Sequence, residues 1–419
     1  MNSKTIWIIN HYALAPSQGG LCRHYYFARG LIARGYNVRI FSSSVIHNTD
    51  INMCGKDDGL FKEVEVDGLV YTYIKSSSYT GNGLKRIKNM LSFAGSIKKI
   101  WKRYKNENPE VIYTSSPDLF TAWSAQKLAR KHKIPVVTEI RDLWPLSIVE
   151  YKGFSNSNPA IKVLYGMEKK LYKRTDALVF TMPGGIDYVL EKGWDKVVDT
   201  KKIFNINNGI DVREQEHDLE NYKIDDKDLL DDTFKIVYAG SIRLANCVDL
   251  IVKAAEILKD RQDIKFLIYG DGGDRGRLEE YCKQNDITNV LFKGKTDKKY
   301  IPFLCSKANV NVLTYKNAGT WKYGGSQNKV FDYLNAGKPV LTNIEMGRSI
   351  LKEYNCGVET GSDSAEALAE AILKFYNMPS DEYAEMCKNA KDAAKNFDFG
   401  VLTDKFEEVL DYAVNAKKG

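Results

Sequence analysis

No run of about 18 uncharged apolar residues occurs in the 419 residues, so no segment is expected to cross a membrane as a helix. Histidine is scarce, and none of the five is spaced as metal ligands are, so a tight protein-built metal site is not expected. The seven cysteines are an odd number, scattered without a Cys-x-x-Cys pair. That argues against a disulfide framework and for a reducing cytoplasm, with Cys247, Cys282, Cys305 and Cys356 as small buried hydrophobes. The first strand-to-helix turn lacks the Gly-x-Gly-x-x-Gly fingerprint, which lowers the expectation of a nicotinamide enzyme. Acid is missing from one long segment, since no Asp or Glu lies between Lys75 and Glu107, whereas residues 214–232 are dominated by them. With a formal net charge of +7, this uneven distribution says more than the total.

What is present is a chain with 43% hydrophobic residues, enough for substantial cores and long enough for two domains. The opening residues run straight into an apolar segment without a signal-peptide cleavage pattern and read as the first strand. Apolar, β-branched-rich runs at 5–10, 37–42, 111–115, 135–140 and 177–181 alternate with helical patterns. A second series follows at 234–239, 265–269, 290–293, 308–313 and 339–341. Alternation of this kind implies α/β domains with parallel sheets covered on both faces. The expected division is 1–212 for a first Rossmann-like domain and 213–232 for an acidic linker. A second such domain is expected over 233–395, with a final helical segment over 396–419.

Residues 323–341 carry the strongest functional signal. They read as a Gly-rich loop, a short helix, a Gly-Lys-Pro stop and an apolar strand, where backbone N–H groups and the helix dipole suit a phosphate. Ser326, Asn328 and Lys329 face that phosphate, while Asp332, a turn later, accepts from attached hydroxyls, so the site suits a nucleoside diphosphate. Gly19 and Gly20 follow the first strand and permit close approach of backbone to ligand, or simply make a flexible turn. Glu139, Arg141 and Asp142 end a buried strand and are the candidate catalytic residues, Arg141 contacting an anionic or hydroxylated substrate and a carboxylate handling a hydroxyl proton. The alternative is an Arg–Asp pair that orders a loop. Arg243 is the natural bidentate partner of a diphosphate, or else a solvated surface residue. Gly270 and Asp271 end another strand and either admit a base or ribose or form a simple turn.

Over residues 84–105, Leu84, Ile87, Leu91, Ala94, Ile97, Trp101 and Tyr104 fall at helical spacing. Lys85, Arg86, Lys88, Lys98, Lys99, Lys102, Arg103 and Lys105 surround them. A cationic amphipathic helix with an interfacial Trp reads as an element that lies on an anionic membrane surface. The other reading is an ordinary domain helix with a solvated basic face. Nucleic acid is not expected, because no reading motif accompanies the patch.

Taken in order, these segments resemble the retaining glycosyltransferases of family 4, which have the GT-B fold. The matching pieces are Gly19-Gly20, Arg141-Asp142-Leu143-Trp144-Pro145, Asn208-Gly209-Ile210-Asp211, Ala239-Gly240-Ser241, Gly270-Asp271-Gly272 and the block at 323–341. More narrowly the chain is similar to the bacterial O-antigen and capsule branch that includes N-acetyl-fucosamine transferases. The resemblance implies two Rossmann-like doubly wound domains facing a central cleft, a UDP-sugar donor held by the second, and the last helix packed back on the first. It implies a lipid-linked (polyprenyl-diphosphate) or glycan acceptor, no metal or other cofactor, and a cytoplasmic enzyme peripheral on the inner face of the cell membrane. The transferred sugar would be an N-acetylated hexose or deoxyhexose, by a front-face displacement in which the leaving phosphate helps deprotonate the acceptor.

The chain departs from that pattern in three places. Gly324 and Asp332 stand where the family carries two glutamates, Arg141 stands where many members have His, and Asn246 and Cys247 occupy the region of a usual Lys. Lys329 is a candidate substitute for the last. Two other readings share the architecture: a non-hydrolysing UDP-sugar 2-epimerase and a non-catalytic sugar-nucleotide-binding subunit.

Overall fold

The computed structural model describes residues 4–19, 22–47, 49–79, 81 and 83–418. They divide into two compact units, one of residues 1–207 with 402–419 and one of residues 208–401. The first holds β1 (Thr5–Asn10), β2 (Asn37–Ser43), β3 (Phe61–Val66), β4 (Leu69–Ile74), β5 (Val111–Ser115), β6 (Val136–Ile140), β7 (Ala177–Phe180) and β8 (Ile203–Asn205). Their order across the sheet is β3-β4-β2-β1-β5-β6-β7-β8, parallel throughout except for the antiparallel β3–β4 pair. β1, β5 and β6 are buried along their whole length, which is why they read as continuous apolar runs. The chain turns outward from β1 in both directions, so a topological switch point lies between β1 and β5.

The β3–β4 hairpin has no counterpart among the expected strands. Asp67 and Gly68 make its turn with φ of 52° and 76°, the left-handed pair that a two-residue hairpin needs. Residues 402–418 of the last helix (Phe399–Lys418) belong to this unit, where Phe406 stacks on Phe27 with ring centres 4.6 Å apart.

The basic segment forms two helices, Leu84–Ile97 and Ile100–Tyr104. Phe93, Ile97, Ile100 and Tyr104 pack with Trp7, Ile9 and Phe41 in the core of the unit. Trp101 faces inward too, edge-on to Trp7 and stacked on His132 at 3.9 Å, so the expectation of an interfacial Trp is corrected. The first helix leads from the end of β4 back to the start of β5. Lys98, Lys99, Lys102 and Arg103 therefore sit at the edge of the sheet opposite the strand C-termini, exposed. Leu84, Ile87 and Leu91 stay near the C-terminal edge and are 84%, 43% and 51% exposed, beside exposed Lys85 and Lys88. The patch that the sequence presents as one stripe is thus two, because half of its apolar residues are core.

The second unit holds β9 (Phe234–Ala239), β10 (Ile264–Tyr269), β11 (Val290–Gly294), β12 (Val310–Leu313), β13 (Val340–Thr342) and β14 (Gly357–Glu359). They form one parallel sheet in the order β11-β10-β9-β12-β13-β14, with its switch point between β9 and β12. The expected acidic linker is part of this unit. Asp211 caps the helix Val212–Asn221, and Asp226 caps Lys227–Leu230. Lys293 is 2.7 Å from both Asp226 and Asp228, and Lys265 pairs with Asp228 and Asp231, while Leu229 is buried beneath. The acids neutralise lysines that project from β10 and β11, so a run that looks self-repelling in sequence is a charged clasp in the fold.

One buried carboxyl of the first unit is unusual. Glu168, fully buried on the helix Pro159–Arg174, accepts from Tyr172 Oη at 2.7 Å and Tyr188 Oη at 2.9 Å. Burial pushes it up to about 8 despite those two donors. The folded state therefore holds a proton that the unfolded chain loses near pH 4.5, and stability falls as pH rises from about 4.5 to about 8. Thermal unfolding of Glu168→Gln should lose this component of the pH dependence and match or exceed the parent at pH 8. An unchanged profile would show that Glu168 is ionised in the fold.

Candidate active site

In the second unit, the candidate site is built where β9 and β12 diverge. The turn after β9 is tied to the turn after β10, with Gly240 N donating to Tyr269 O at 2.8 Å and Ile242 N to Asp271 O at 2.9 Å. A side chain on Gly270 would meet the Gly240 carbonyl oxygen at 1.7 Å. The small residue at 270 is thus required by the neighbouring turn, which corrects the reading that it makes room for a base or ribose. Asp271 is exposed, and its Oδ1 accepts from Gly272 N at 2.8 Å. Arg243 is exposed on the same turn, its guanidinium making no hydrogen bond or ion pair among the described residues.

Lys329 reaches this turn from the second position of the helix Asn328–Asn335. Its Nζ donates to Tyr238 Oη at 2.9 Å and lies 4.3 Å from that ring centre. A Cβ on Gly240 would stand 2.2 Å from the ammonium, so the glycine is what admits the cation. Burial holds the ammonium down to about 8, against a smaller opposing pull from Asp332. The helix begins without a side-chain cap, and the N–H groups of Gly325 to Lys329 have no acceptor among the described residues. A row of open donors beside a poorly solvated cation is a site for an anion.

Three of the expected ligands have further duties. Ser326 accepts from Asn208 N at 2.6 Å through its hydroxyl, and its carbonyl accepts from Asn208 Nδ2, which fixes the cradle loop. Asp332 accepts from Gln215 Nε2, so the helix Val212–Asn221 holds this carboxylate in place. Asn328 is exposed at the first helical position. Asn208, Gln215 and Tyr238 were not among the expected residues. The Asn208-Gly209-Ile210-Asp211 motif contained the first, but its sequence gives no sign that it holds a loop over 100 residues away.

Gly324, the position of the family's first glutamate, has φ 81° and ψ 179°. That backbone region is essentially closed to residues with a Cβ. The loop excludes a carboxylate there by its path, and any grip on a donor sugar must come from other groups.

In the first unit, Glu139 ends β6 with both oxygens engaged. Arg23 Nε donates to Oε1 at 2.6 Å and His24 Nε2 to Oε2 at 3.0 Å, all three side chains being buried. His24 Nδ1 accepts from Asn10 Nδ2 at 3.0 Å, a tautomer assigned from this network, and burial keeps the imidazole neutral. Arg23 also donates to the carbonyls of Ile206 and Asn207. Glu139 is accordingly an anchor for three elements, which replaces the expectation that it handles a substrate proton. Arg141 and Asp142 continue past the strand. Arg141 N donates to Ser116 Oγ at 3.0 Å, and Asp142 is exposed. Gly19 is exposed with φ 72°, and Gly20 lies outside the described residues.

Removing one partner of a buried ion pair leaves the other charge unpaired, at a cost of about 3–5 kcal/mol. Glu139→Ala should therefore lower stability by that amount in denaturant titrations, whereas Asp142→Asn should change it by less than about 0.5 kcal/mol. Equal effects would contradict the division between anchor and site.

The comparisons with known proteins agree with this architecture. The family model described as Glycosyltransferase Family 4 matches residues 19–214, and that described as Glycosyl transferases group 1 matches residues 221–397. A putative colanic acid biosynthesis glycosyl transferase, WcaI of Escherichia coli K12, is 23% identical over 330 residues, spanning 75% of this chain and 79% of that protein. Among solved structures, one from E. coli described as trehalose-6-phosphate bound with UDP-2-fluoro glucose superposes with a TM-score of 0.73 at 12% identity, over 97% of this chain and 98% of that one. Anabaena Alr3699/HepE in complex with UDP and glucose gives 0.64 at 13% identity, over 98% and 100%. The two family models together account for most of the sequence, and their enzymes are transferases rather than epimerases. The chain belongs to the glycosyltransferases of family 4, with the GT-B fold.

Proposed function

We propose that this enzyme moves a sugar from a UDP-sugar, with retention at the anomeric carbon, to a polyprenyl-diphosphate-linked or glycan acceptor in surface polysaccharide synthesis. The observation that carries the donor half is the Lys329 ammonium seated against Gly240 beside the open N–H groups of Gly325 to Lys329. A diphosphate supplies the negative charge that this arrangement leaves unbalanced, with Arg243 on the adjoining turn as a second cation. HepE, with UDP and glucose bound, and the E. coli structure with UDP-2-fluoro glucose support a UDP donor. WcaI supports a polysaccharide product. The transferred sugar in this proposal is an N-acetylated hexose or deoxyhexose.

In the reaction, the bond from the anomeric carbon to the UDP oxygen breaks and a bond to the acceptor hydroxyl oxygen forms on the same face. The hydroxyl proton passes to the departing phosphate oxygen. Lys329, Arg243 and the helix start stabilise charge that grows on the diphosphate, so no metal or other cofactor is invoked. We assign Asp332 and Asp271 to the ribose and base, and Asp142 with Arg141 to the acceptor.

We assign the acceptor's surroundings to a cytoplasmic, anionic membrane face, on which Leu84, Ile87 and Leu91 insert while Lys85 and Lys88 meet lipid headgroups. No helix among the described residues is long and apolar enough to cross a membrane.

UDP at 100 times its dissociation constant should stabilise the protein by about 2.7 kcal/mol in a thermal shift, and no shift with UDP would sink the donor assignment. Because a diphosphate favours charged Lys329, UDP affinity should fall on the order of tenfold per pH unit above about 8. Lys329→Arg should flatten that decline. On vesicles containing phosphatidylglycerol, Leu84→Ser with Leu91→Ser, or Lys85→Gln with Lys88→Gln, should reduce flotation. Replacing Lys98, Lys99, Lys102 and Arg103 by Gln should leave most of it; the reverse ranking would place the membrane at the other edge of the sheet.

A further inference from the structure

Asp332 is one end of a chain of side chains that leads out of the site to a lysine on another helix. Asp332 and Asn335 are three residues apart on the helix Asn328–Asn335, so they share a face. Gln215, from the helix Val212–Asn221, spans the pair. Its Nε2 donates to Asp332 Oδ1, and its Oε1 accepts from Asn335 Nδ2 at 3.1 Å. Asn335 is buried, and its Oδ1 accepts from Lys391 Nζ at 2.9 Å. Lys391 belongs to a third helix, Ser380–Lys395. Its Nζ also donates to the Asn335 carbonyl at 3.0 Å and pairs with Glu216 at 3.6 Å. All of these residues lie in the second unit.

The two ends of this chain dictate how the amides between them are turned. An ammonium has donors only, so it meets the oxygen of Asn335 and leaves the amide NH2 for Gln215. A carboxylate accepts only, so it meets the NH2 of Gln215, whose oxygen is then left for Asn335. Both ends select the same sense. Swapping oxygen and nitrogen in either amide, or in both, would set donor against donor and acceptor against acceptor. Each amide therefore turns its positive end toward Asp332. The other oxygen of Asp332, Oδ2, makes no hydrogen bond among the described residues, so the carboxylate keeps one acceptor open. Lys391 also covers the carbonyl end of the helix whose first N–H groups form the anion cradle, where a cation is favourable.

We propose that Lys391, Asn335 and Gln215 form a relay that orients Asp332 and aims its open oxygen at the ribose hydroxyls, making the enzyme selective for ribonucleotide donors. This rests on the assignment of Asp332 to the ribose given above. The three are positioning residues, since they act through Asp332. Aspartate has one methylene fewer than the family's glutamate here, and Gln215 fixes where that shorter arm points.

The test measures, by calorimetry on the full chain, the affinities for UDP and for 2′,3′-dideoxy-UDP, which lacks both ribose hydroxyls. The parent should bind UDP at least about tenfold more tightly, the difference expected for hydrogen bonds to a charged group. Asn335→Asp keeps the shape and the contact with Lys391 but gives the Gln215 amide an acceptor at either end, so its sense is no longer set. That variant should cut the preference for UDP to about threefold or less, with the dideoxy affinity kept within about twofold. Lys391→Gln, which removes the cation, should lower the preference by a smaller factor, and Lys391→Arg should keep it. Equal weakening of the two nucleotides in Asn335→Asp and Lys391→Gln would make the relay a support of the fold alone and overturn the proposal. An unchanged preference in both variants would overturn it as well. A parent that binds the two nucleotides equally would overturn it while leaving the donor diphosphate assignment standing. A parent that binds neither would overturn the donor assignment and the proposal with it.

Discussion

The ammonium of Lys329 pressed against the Gly240 backbone is the contact on which the donor site depends. It joins the turn after β9 to the helix Asn328–Asn335 across the switch point of the second sheet. It also places a cation where water is scarce, beside backbone donors without acceptors. Such a cation is costly when alone and is stabilised by an anion, a requirement that the proposed donor diphosphate would meet. Gly240, Tyr238 and the uncapped helix start are explained together by that one requirement. The Gln215 bond to Asp332 holds the same helix from outside, while the acidic clasp holds Lys265 and Lys293 on the neighbouring strands β10 and β11.

The first unit solves a different problem. Arg23, His24 and Glu139 form a closed, buried network at the end of β6 that binds its charges internally. Having neutralised itself, that network offers nothing to a ligand, and the proposed acceptor residues Arg141 and Asp142 lie just beyond it. The contrast between the units is one of saturation: buried charge is paired in the first and left open in the second.

Much of the architecture was legible beforehand. The ten expected strands all exist, because parallel strands buried on both faces must be continuously apolar and β-branched. Of the strands that were missed, β8 and β14 are short and partly exposed and β3 alternates in polarity, whereas β4 is a six-residue run buried along most of its length, and Asp67-Gly68 announced the hairpin. The block at 323–341 was recognisable because a glycine loop opening a helix has few other uses. Its glycine at 324 was visible as a departure, but the reason for it, a positive φ with extended ψ, was not.

By itself the sequence determined the succession of buried strands, the phosphate-type loop and the cation within it, since these follow from local periodicity and backbone chemistry. The tertiary structure decided which charges are satisfied. It turned an apparent acidic linker into a clasp, made Glu139 an anchor, and divided one basic stripe into core and two surfaces. The physical reason is that a charge takes its role from its partner and its burial, and both come from residues up to hundreds of positions away.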